Sequence, residues 1–260
     1  MPFKPTILRF DSLDSTNLEA MRQGEAGATE GLCIVSREQT SGRGRLDRSW
    51  ESPKDAGLYF SIILRPQLKM SAWPLITLMA ALAVSDALMK ACGLRADIKW
   101  PNDLCINDRK LCGILAETVE TETGLAAIVG IGINMKAGSL PATVSDLATS
   151  VESATGCQPD SERVLKELLE AIGDRYELLQ TPLGGEHTIR EWCANSSYAI
   201  GRRVRVSLEN DTFEGITRGL ESDGALRVET EGGRLRIVRA GDVTALVSDK
   251  DALSNRHWKH

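Results

Sequence analysis

The pattern of apolar and polar residues divides the chain into two parts with different predicted architectures. In the first part, apolar runs rich in β-branched and aromatic residues predict buried strands, and runs with a three-to-four-residue period predict helices. The clearest helix runs from about residue 162 to 179, where Val164, Leu168, Ile172 and Tyr176 form one apolar face. The predicted strands are 6–10, 32–38, 57–64, 97–100, 110–119 and 125–134, and the remaining predicted helices are 15–24, 71–91, 147–154 and 186–193.

After about Gly201 the pattern changes to short alternating segments separated by turn residues. The predicted strands here are 202–208, 212–219, 225–230, 234–238 and 243–247. Asn210-Asp211, Asp223-Gly224 and Gly232-Gly233 are typical turn pairs between the first four. This part therefore predicts a small antiparallel β-barrel of the SH3-like kind. The whole chain is of the α+β class.

Composition narrows the function classes. The 260 residues carry a net charge of −5 and are 42% apolar, which fits a folded core and disfavours a general nucleic-acid binder. The longest uncharged run, residues 70–85, is shorter than the ~20 apolar residues of a membrane span. The first residues lack the apolar core of a secretory signal. We therefore expect a cytoplasmic protein that does not enter a membrane.

The six cysteines include no Cys-x-x-Cys pair, and only three histidines accompany them. A structural zinc site is therefore disfavoured. A chain of this length has room for a real core and does not need disulfides, so reduced thiols are expected.

The segment 39–50 is the strongest candidate for chemistry. Gly42 and Gly44 allow close approach of the backbone to a ligand, and Arg43, Arg45 and Arg48 supply three guanidinium groups suited to phosphate or carboxylate. The alternative is a solvated turn that binds anions without specificity. The chain contains no P-loop sequence, and the glycines are not followed by a convincing helix, so a Rossmann site is also disfavoured.

Other positions allow two interpretations each. Lys99 lies between Ile98 and Trp100 in a predicted strand and is either exposed or turned inward toward an anion. Three strand glycines mark either bulges or close approach of a ligand, and we favour the ligand: Gly113, Gly130 and Gly132. The segment 14–17 reads as a helix N-cap or as part of a pocket.

Five motifs in a fixed order give the chain a specific resemblance. They are Asp14-Ser-Thr-Asn17, the Gly/Arg segment from Gln39 to Trp50, Lys99-Trp-Pro-Asn-Asp-Leu104, Lys110-Leu-Cys-Gly-Ile-Leu-Ala-Glu117 and Gly130-Ile-Gly-Ile-Asn-Met135. From about residue 10 to about 247 the sequence resembles the biotin protein ligases, enzymes that adenylate biotin with ATP and attach it to a lysine of a carrier domain.

The resemblance implies a mixed-sheet catalytic domain of the biotin/lipoate ligase type at 1–198, a small barrel at 199–248 and a polar tail at 249–260. Its implied catalytic residues are Lys99, Arg43 and Arg45, with Lys99 meeting the biotin carboxylate and the α-phosphate. The ureido ring of biotin would lie against Ser15, Thr16 and Asn17. The full implied binding set is Ser15, Thr16, Asn17, Gln39, Gly42, Arg43, Gly44, Arg45, Trp50, Lys99, Asn102, Asp103, Lys110, Gly113, Gly130, Gly132 and Asn134.

The resemblance also implies partners and cofactors. Mg²⁺ would arrive with ATP and need no dedicated metal site, and the protein partner would be a biotin carboxyl carrier domain. A homodimer is among the assemblies the resemblance allows. Asp103 is a weak candidate to assist the acceptor lysine in losing its proton.

Three rival functions are considered. A lipoate or octanoate ligase is disfavoured because the Gly-Arg-Gly-Arg and Lys-Trp-Pro-Asn-Asp motifs belong to the biotin branch. A DNA-binding biotin-responsive repressor is disfavoured because no helix-turn-helix fits before Ser15. A noncatalytic carrier-binding module is disfavoured because the lysine and arginines are retained.

One position departs from the family pattern. Asp47 stands where the family usually has glycine in Gly-Arg-Gly-Arg-x-Gly. Aspartate tolerates left-handed backbone better than most residues. The expectation is that the loop still forms and that Asp47 pairs with a neighbouring arginine.

Overall fold

The computed structural model describes residues 4–140, 144 and 146–246. A seven-stranded mixed sheet forms its centre, in the order β1-β2-β3-β7-β6-β5-β4. Only the β1–β2 pair is parallel; the other neighbours are antiparallel. The strands are β1 Thr6–Phe10, β2 Leu32–Ser36, β3 Gly57–Leu64, β4 Asp97–Lys99, β5 Asp103–Ile106, β6 Arg109–Thr121 and β7 Gly124–Asn134.

Strand β5 is the one element of this sheet that the sequence pattern missed. It follows directly on Pro101, which a cis peptide bond joins to Trp100. It then turns into β6 through Asn107 and Asp108, both with positive φ. The strand is only four residues long and has no clear alternation of its own. This tight hairpin carries Asp103 and Lys110 side by side.

The helices are α1 Thr16–Glu25, α2 Pro74–Cys92, α3 Val151–Thr155, α4 Ser161–Leu179 and α5 Gly184–Ala194. Helix α4 buries the four predicted residues of its apolar face, and Asp160 caps its first turn. Helix α3 begins later than predicted, with Ser150 as its cap. Gly93 ends α2 in the left-handed conformation that glycine adopts readily after a helix.

Helix α2 is the central core helix. Most of its residues are buried, and they lie on several sides of the helix, not on a single stripe. With the preceding turn it spans Met70–Cys92 and is long and apolar enough to cross a membrane, but 61% of its most apolar window lies inside the protein. Its apolar surface is explained by packing against α4, α5 and the sheet.

The sheet is covered on both faces. The larger cluster, with α2 and α4, fills one face, and a smaller cluster that includes Ala20, Ile34 and Ile63 packs α1 against the other. Helix α1 therefore lies on the face opposite α2, next to strands β2, β3, β6 and β7. This placement brings the start of α1 over the middle of β6 and β7.

The C-terminal part forms a separate five-stranded antiparallel sheet in the order β11-β10-β9-β8-β12. Its strands are β8 Ile200–Ser207, β9 Thr212–Leu220, β10 Leu226–Thr230, β11 Leu235–Val238 and β12 Asp242–Ala245. The indole N–H of Trp100 donates to Gly224 O at 3.0 Å, and Tyr198 donates to Asp108 at 2.9 Å. These bonds fix the second sheet against the β4–β6 edge of the first.

The predicted α+β class is therefore confirmed, with a mixed sheet followed by a small antiparallel sheet. All five C-terminal strands occur within two residues of their predicted bounds over the described chain. The last residue of the fifth predicted strand and the tail at 249–260 lie outside the described residues.

Candidate active site

A cavity opens where the start of α1, the segment 39–50, strands β5 to β7 and one residue of β12 meet. Its lining contains most of the predicted site residues. It consists of Ser15, Thr16, Asn17, Gln39, Arg43, Gly44, Arg45, Arg48, Ser49, Trp50, Asn102, Asp103, Lys110, Gly113, Ile114, Leu115, Gly130, Ile131, Gly132 and Asp242. Five separate stretches of the amino-terminal part and one residue near the end of the described chain thus converge on one space.

The Gly/Arg segment forms a closed loop over this cavity. The N–H of Gly44 donates to Arg48 O at 2.6 Å, and the N–H of Trp50 donates to Gly42 O at 2.8 Å. Between them Leu46 and Asp47 both adopt positive φ, of 54° and 56°. The loop therefore folds on itself as a small hairpin that projects its arginines.

Each arginine of the loop has a partner from a different element. Arg43 pairs with Glu117 of β6 at 2.9 Å, and Arg45 donates to Asn102 Oδ1 at 3.1 Å and to Gly241 O at 3.3 Å. Arg48 pairs with Asp242 of β12. Burial lowers the pKa of Arg45. An arginine keeps its charge even so, and the loop therefore presents fixed positive groups to the cavity.

The expected pairing of Asp47 with a neighbouring arginine is wrong. Among the described residues Asp47 takes part in no ion pair, and its side chain is exposed at the tip of the loop. The reason is that Arg45 and Arg48 are turned away from the tip, toward the second sheet. The other half of the expectation, a left-handed aspartate in a formed loop, is confirmed.

Lys110, and not Lys99, is the lysine of the cavity. Its ammonium lies 2.7 Å from Asp103 Oδ1 and 5.2 Å from the centre of the Trp50 ring. Asp103 Oδ1 is buried, so this ion pair is shielded from water. A cation and a carboxylate therefore lie together beside the arginine loop.

Lys99 does not belong to the described lining of the cavity, and its predicted contact with the reacting groups is not supported. Its ammonium lies 6.0 Å from the ring of Tyr198, at the junction with the second sheet. Strand β4 ends at Lys99 and is the edge of the sheet, next to β5, which contributes Asp103 to the cavity. The alternation of β4 places Lys99 opposite Ile98 and Trp100, and its register against Asp103 puts it on the same face as the cavity but beyond the described lining.

Polar side chains at the start of α1 form the opposite wall. Gln39 Oε1 accepts from the backbone N–H of Thr16 at 2.8 Å and from its hydroxyl at 3.1 Å. Ser61 lies below and contacts Thr16 Oγ1 and Asn17 Oδ1, each at 2.7 Å. Ser15 occupies the N-cap position but makes no side-chain capping bond. A donor of the first turn is therefore satisfied by Gln39 and not by a hydroxyl of segment 14–17.

The strand glycines leave room for side chains of the wall and loop. A methyl group added at Gly130 would lie 2.0 Å from Asn17 Oδ1, and one added at Gly132 would lie 2.5 Å from Trp50 Nε1. At Gly113 it would lie 2.9 Å from the same indole. The groups that approach these glycines in the structure are Asn17 and Trp50, and the expected approach of a ligand stays a prediction.

Two further predicted residues lie just behind the cavity. Gly42 is buried, and an added methyl group would lie 2.3 Å from Trp50 O, so this glycine serves the closure of the loop. Asn134 is buried and donates to Thr149 O at 3.0 Å and to Lys110 O at 3.4 Å. It thus holds the backbone of Lys110 without lining the described cavity.

The structure also adds residues that were not predicted for the site. Arg48 could be recognised in the sequence as an arginine of the loop, and Glu117 as a member of the Lys110–Glu117 motif. Asp242 could not be linked to the site from the sequence, because it follows more than a hundred residues later. Ile114, Leu115 and Ile131 supply apolar surface between the polar walls. Among the described residues, no group of three or more His, Cys, Asp or Glu is arranged to hold a metal ion.

Two family models match the chain. Residues 9–134 match the biotin/lipoate A/B protein ligase family, and residues 199–244 match the biotin protein ligase C-terminal domain. These matches cover the elements that build the cavity and the second sheet.

Individual relatives agree with the models. The chain is 35% identical over 237 residues to the bifunctional ligase/repressor BirA of Bacillus subtilis, covering 90% of this chain and 72% of that protein. It is 34% identical over 237 residues to the biotin--[acetyl-CoA-carboxylase] ligase of Paracoccus denitrificans, covering 88% of this chain and 96% of that protein.

A solved structure extends the likeness to the fold. The biotin protein ligase of Aquifex aeolicus in complex with biotin and ATP is 30% identical, with a TM-score of 0.81, covering 95% of this chain and all of that one. From its cavity, its two sheets and these matches, the chain belongs to the biotin/lipoate protein ligase family, in the branch of the biotin protein ligases.

Proposed function

We infer that this protein is a biotin protein ligase. It activates biotin with ATP to biotinyl-5′-adenylate and diphosphate, and then transfers biotin to a lysine amine of a carboxyl carrier protein with release of AMP. The observation that carries this conclusion is the cavity itself, in which Arg43, Arg45 and Lys110 face a wall of small polar side chains. Its Aquifex relative of the same fold binds both biotin and ATP.

The first step brings two anions together, the biotin carboxylate and the α-phosphate of ATP. At ~4 Å and an effective dielectric constant near 20, each pair of like charges repels by ~4 kcal/mol. The position of Lys110 and Arg45 on neighbouring sides of the cavity supports a role in offsetting this repulsion. We propose that they stabilise the charge that develops in the transition state, and that Arg43 assists.

The small polar wall suits the other end of biotin. A ureido ring offers two N–H donors and one carbonyl acceptor. Ser15, Thr16, Asn17 and Gln39 present hydroxyl and amide groups of both kinds to the cavity. We propose that the ring lies against them and over Gly130, with the carboxylate directed toward the loop.

The second step requires a neutral lysine amine from the carrier. The carboxylate of Asp103 lies inside the cavity, where its Oδ1 is 2.7 Å from the Lys110 ammonium. We propose that Asp103 receives the proton of the incoming ammonium, after which the amine attacks the carbonyl carbon of the adenylate.

Mg²⁺ is proposed to enter with ATP. Hard cations of this kind are usually held by one or two carboxylates and by the phosphates of the substrate. Asp103 and Asp242 are the carboxylates that face the cavity, which fits such an arrangement.

The loop is suited to protect the adenylate. An acyl-phosphate anhydride hydrolyses when it is accessible to water, so a cover over the site preserves it. The loop, with Trp50 lying beneath it against Gly132, is placed to provide that cover.

Several wider features are part of the proposal. We assign a catalytic domain to 1–198 and a C-terminal domain to 199–248, with a tail at 249–260. We propose a cytoplasmic enzyme that acts without binding DNA, in line with its net charge of −5. A homodimer is compatible with this proposal.

A lipoate or octanoate ligase is the alternative within the same family. It is less well supported, because the biotin-specific C-terminal model matches and the relatives reported above are biotin ligases. Incubation of the purified protein with MgATP and either biotin or lipoate, followed by mass spectrometry of the bound adenylate and of an added carrier domain, separates the two. Formation of lipoyl-adenylate without biotinyl-adenylate would overturn the proposal.

A further inference from the structure

Glu117 is an unexpected group beside a cavity arranged for anions, where it contacts two of the lining residues, Arg43 and Asn17. It lies on β6 two residues after Leu115, on the same face as Gly113, and its side chain is only 20% exposed. A carboxylate in this place would repel phosphate and carboxylate ligands unless its charge is used by the protein. Its contacts show that the carboxylate binds two side chains, Arg43 of the loop and Asn17 of the polar wall.

On one side Glu117 holds Arg43 of the loop. Nη2 of Arg43 lies 2.9 Å from Oε1, and Nη1 lies 3.2 Å from Oε2. Each carboxylate oxygen thus contacts one terminal nitrogen of the guanidinium. This bidentate arrangement fixes the orientation of the Arg43 side chain as well as its distance. Glu117 thereby determines where Arg43 projects.

On the other side Glu117 holds Asn17 of the polar wall. Asn17 Nδ2 donates to Glu117 Oε2 at 2.8 Å and lies 3.2 Å from Leu115 O, while Asn17 Oδ1 accepts from Ser61 at 2.7 Å. The amide therefore has donors and acceptors on both sides, which specifies the orientation of its oxygen and nitrogen.

The contacts continue from Asn17 to the far end of the loop. Ser61 contacts Thr16, Thr16 donates to Gln39, and Gln39 Nε2 donates to Ser52 at 2.7 Å. Ser52 in turn donates to the backbone oxygen of Trp50 at 3.1 Å. A single polar network thus connects Arg43 at one end of the loop to Trp50 at the other, through the wall of the cavity.

We propose that Glu117 is a positioning residue that couples the polar wall to the arginine loop. It does not touch the reacting atoms; it makes the geometry of Asn17 and the seating of Arg43 depend on each other. Biotin bound at the wall then favours the seated loop, and a seated loop favours biotin, because binding at one place stabilises the state preferred by the other. This inference rests on the proposed function.

Glu117→Gln tests the coupling with little change of shape. One carboxylate oxygen becomes an NH₂ group, which must then face a donor of either Asn17 or Arg43. We expect the Kd for biotin, measured by calorimetry without ATP, to rise about tenfold, the scale of one charge-assisted hydrogen bond. We also expect faster proteolysis of the loop in the presence of saturating biotin.

A double-mutant cycle distinguishes coupling from a merely structural role. Arg43→Ala and Glu117→Gln should be non-additive in biotin affinity, because each breaks the same link. The matched control is Glu120→Gln on the same strand, an exposed residue three positions on and therefore on the other face. It should leave biotin affinity and loop proteolysis unchanged and should combine additively with Arg43→Ala.

The outcomes separate the inference from the proposed function. A wild-type protein that does not bind biotin would refute the function. A wild-type protein that binds biotin, with Glu117→Gln indistinguishable from Glu120→Gln, would overturn the inference alone. If Glu117→Gln fails to fold, Ser61→Ala tests the next link of the network, and an unchanged Kd for biotin in that variant would also overturn it.

Discussion

The ammonium of Lys110 lies 2.7 Å from Asp103 Oδ1, across the hairpin that joins β5 to β6. This relationship places a cation and a carboxylate on adjoining strands at the same end of the cavity. It also distinguishes Lys110 from Lys99, the lysine of the preceding motif, because the ammonium of Lys99 is directed toward Tyr198.

Lys110→Ala should reduce adenylate formation by at least a hundredfold. Removal of one preorganised group that stabilises transition-state charge raises the activation free energy by about 2.7–4 kcal/mol. Diphosphate release at saturating biotin and ATP is the measurement. Lys99→Ala is the matched comparison, and its rate of diphosphate release should stay within about threefold of wild type because Lys99 does not line the described cavity. Substitution of a surface residue typically changes the free energy of unfolding by no more than about half a kcal/mol, so the fold should be kept.

The opposite result would assign the stabilisation of transition-state charge to Lys99. A large loss in Lys99→Ala with an intact Lys110→Ala, in proteins of unchanged thermal stability, contradicts the assignment made from the cavity.

Asp242→Asn should speed dissociation of biotinyl-adenylate. The substitution removes the charge that pairs with Arg48 and so loosens the tie between the loop and the second sheet. The side chains are 65% and 34% exposed, so the effect should be about two- to fivefold, as for a surface ion pair. Single-turnover release of labelled adenylate into unlabelled excess measures it.

Asp211→Asn is the control for this prediction. Asp211 pairs with Arg236 in the same sheet at 2.7 Å and does not line the cavity among the described residues. Equal dissociation rates for the two variants would show that the Asp242 contact does not restrain the loop.

Gly130→Ala should weaken biotin binding strongly. The added methyl group would lie 2.0 Å from Asn17 Oδ1 and 2.8 Å from its Cγ, so the side chain of Asn17 must move. Overpacking of this kind costs typically about 1–3 kcal/mol, roughly five- to a hundredfold in affinity. Isothermal calorimetry with biotin gives the value.

Gly24→Ala serves as the comparison. Its added methyl group would meet its neighbours at 3.6 Å or more, and the residue lies in α1 with ordinary φ. We expect unchanged biotin affinity and a slightly raised melting temperature, because alanine favours the helix. A loss of affinity in this variant would mean that any change in α1 disturbs the wall.

Asp47→Gly should leave adenylate dissociation within about twofold of wild type, since no described ion pair of Asp47 is lost. Asp47→Val should make the loop more sensitive to protease, because a β-branched residue at a φ of 56° is strained. Limited proteolysis of the three proteins compares them. Faster dissociation in Asp47→Gly would show that this carboxylate contributes to closure.

The six cysteines should react with a thiol reagent in two classes. All are free, and Cys157 is exposed, whereas Cys33, Cys105 and Cys112 are buried. Burial raises the pKa of Cys33 and Cys105 to about 12, so little thiolate forms at neutral pH. We expect one fast equivalent in the native protein and six after unfolding, measured by absorbance. Fast reaction of a buried thiol would indicate local opening of the sheet.

The motifs that carry chemistry could be predicted from the sequence, but not which of two lysines lines the cavity. Lys99 and Lys110 both lie in strands next to glycine- or proline-containing motifs, and alternation assigns a face without saying which part of that face the cavity occupies. The answer depends on β5, a four-residue strand that makes β4 the sheet edge. Such a short strand is specified by its neighbours more than by its own residues.

The same limit applies to the partners of the arginines. The Gly/Arg segment is visible because its residues are contiguous, whereas Glu117, Gly241 and Asp242 reach it only through the fold. Asp47 illustrates the converse. Its left-handed backbone follows from local preference, but the pairing expected from its neighbours in sequence does not occur, since arginines from the loop find carboxylates on other strands.

The contact between Arg48 and Asp242 has a consequence for biosynthesis. The loop and the floor of the cavity are complete once residue 134 has been made, but the carboxylate that restrains the loop is added more than a hundred residues later. Domains fold in order as the chain leaves the ribosome. A nascent chain therefore forms its sheet first, with the loop held only through Arg43 and Glu117, and gains the second tie after residue 242 has been made, so adenylate made before that point would dissociate faster.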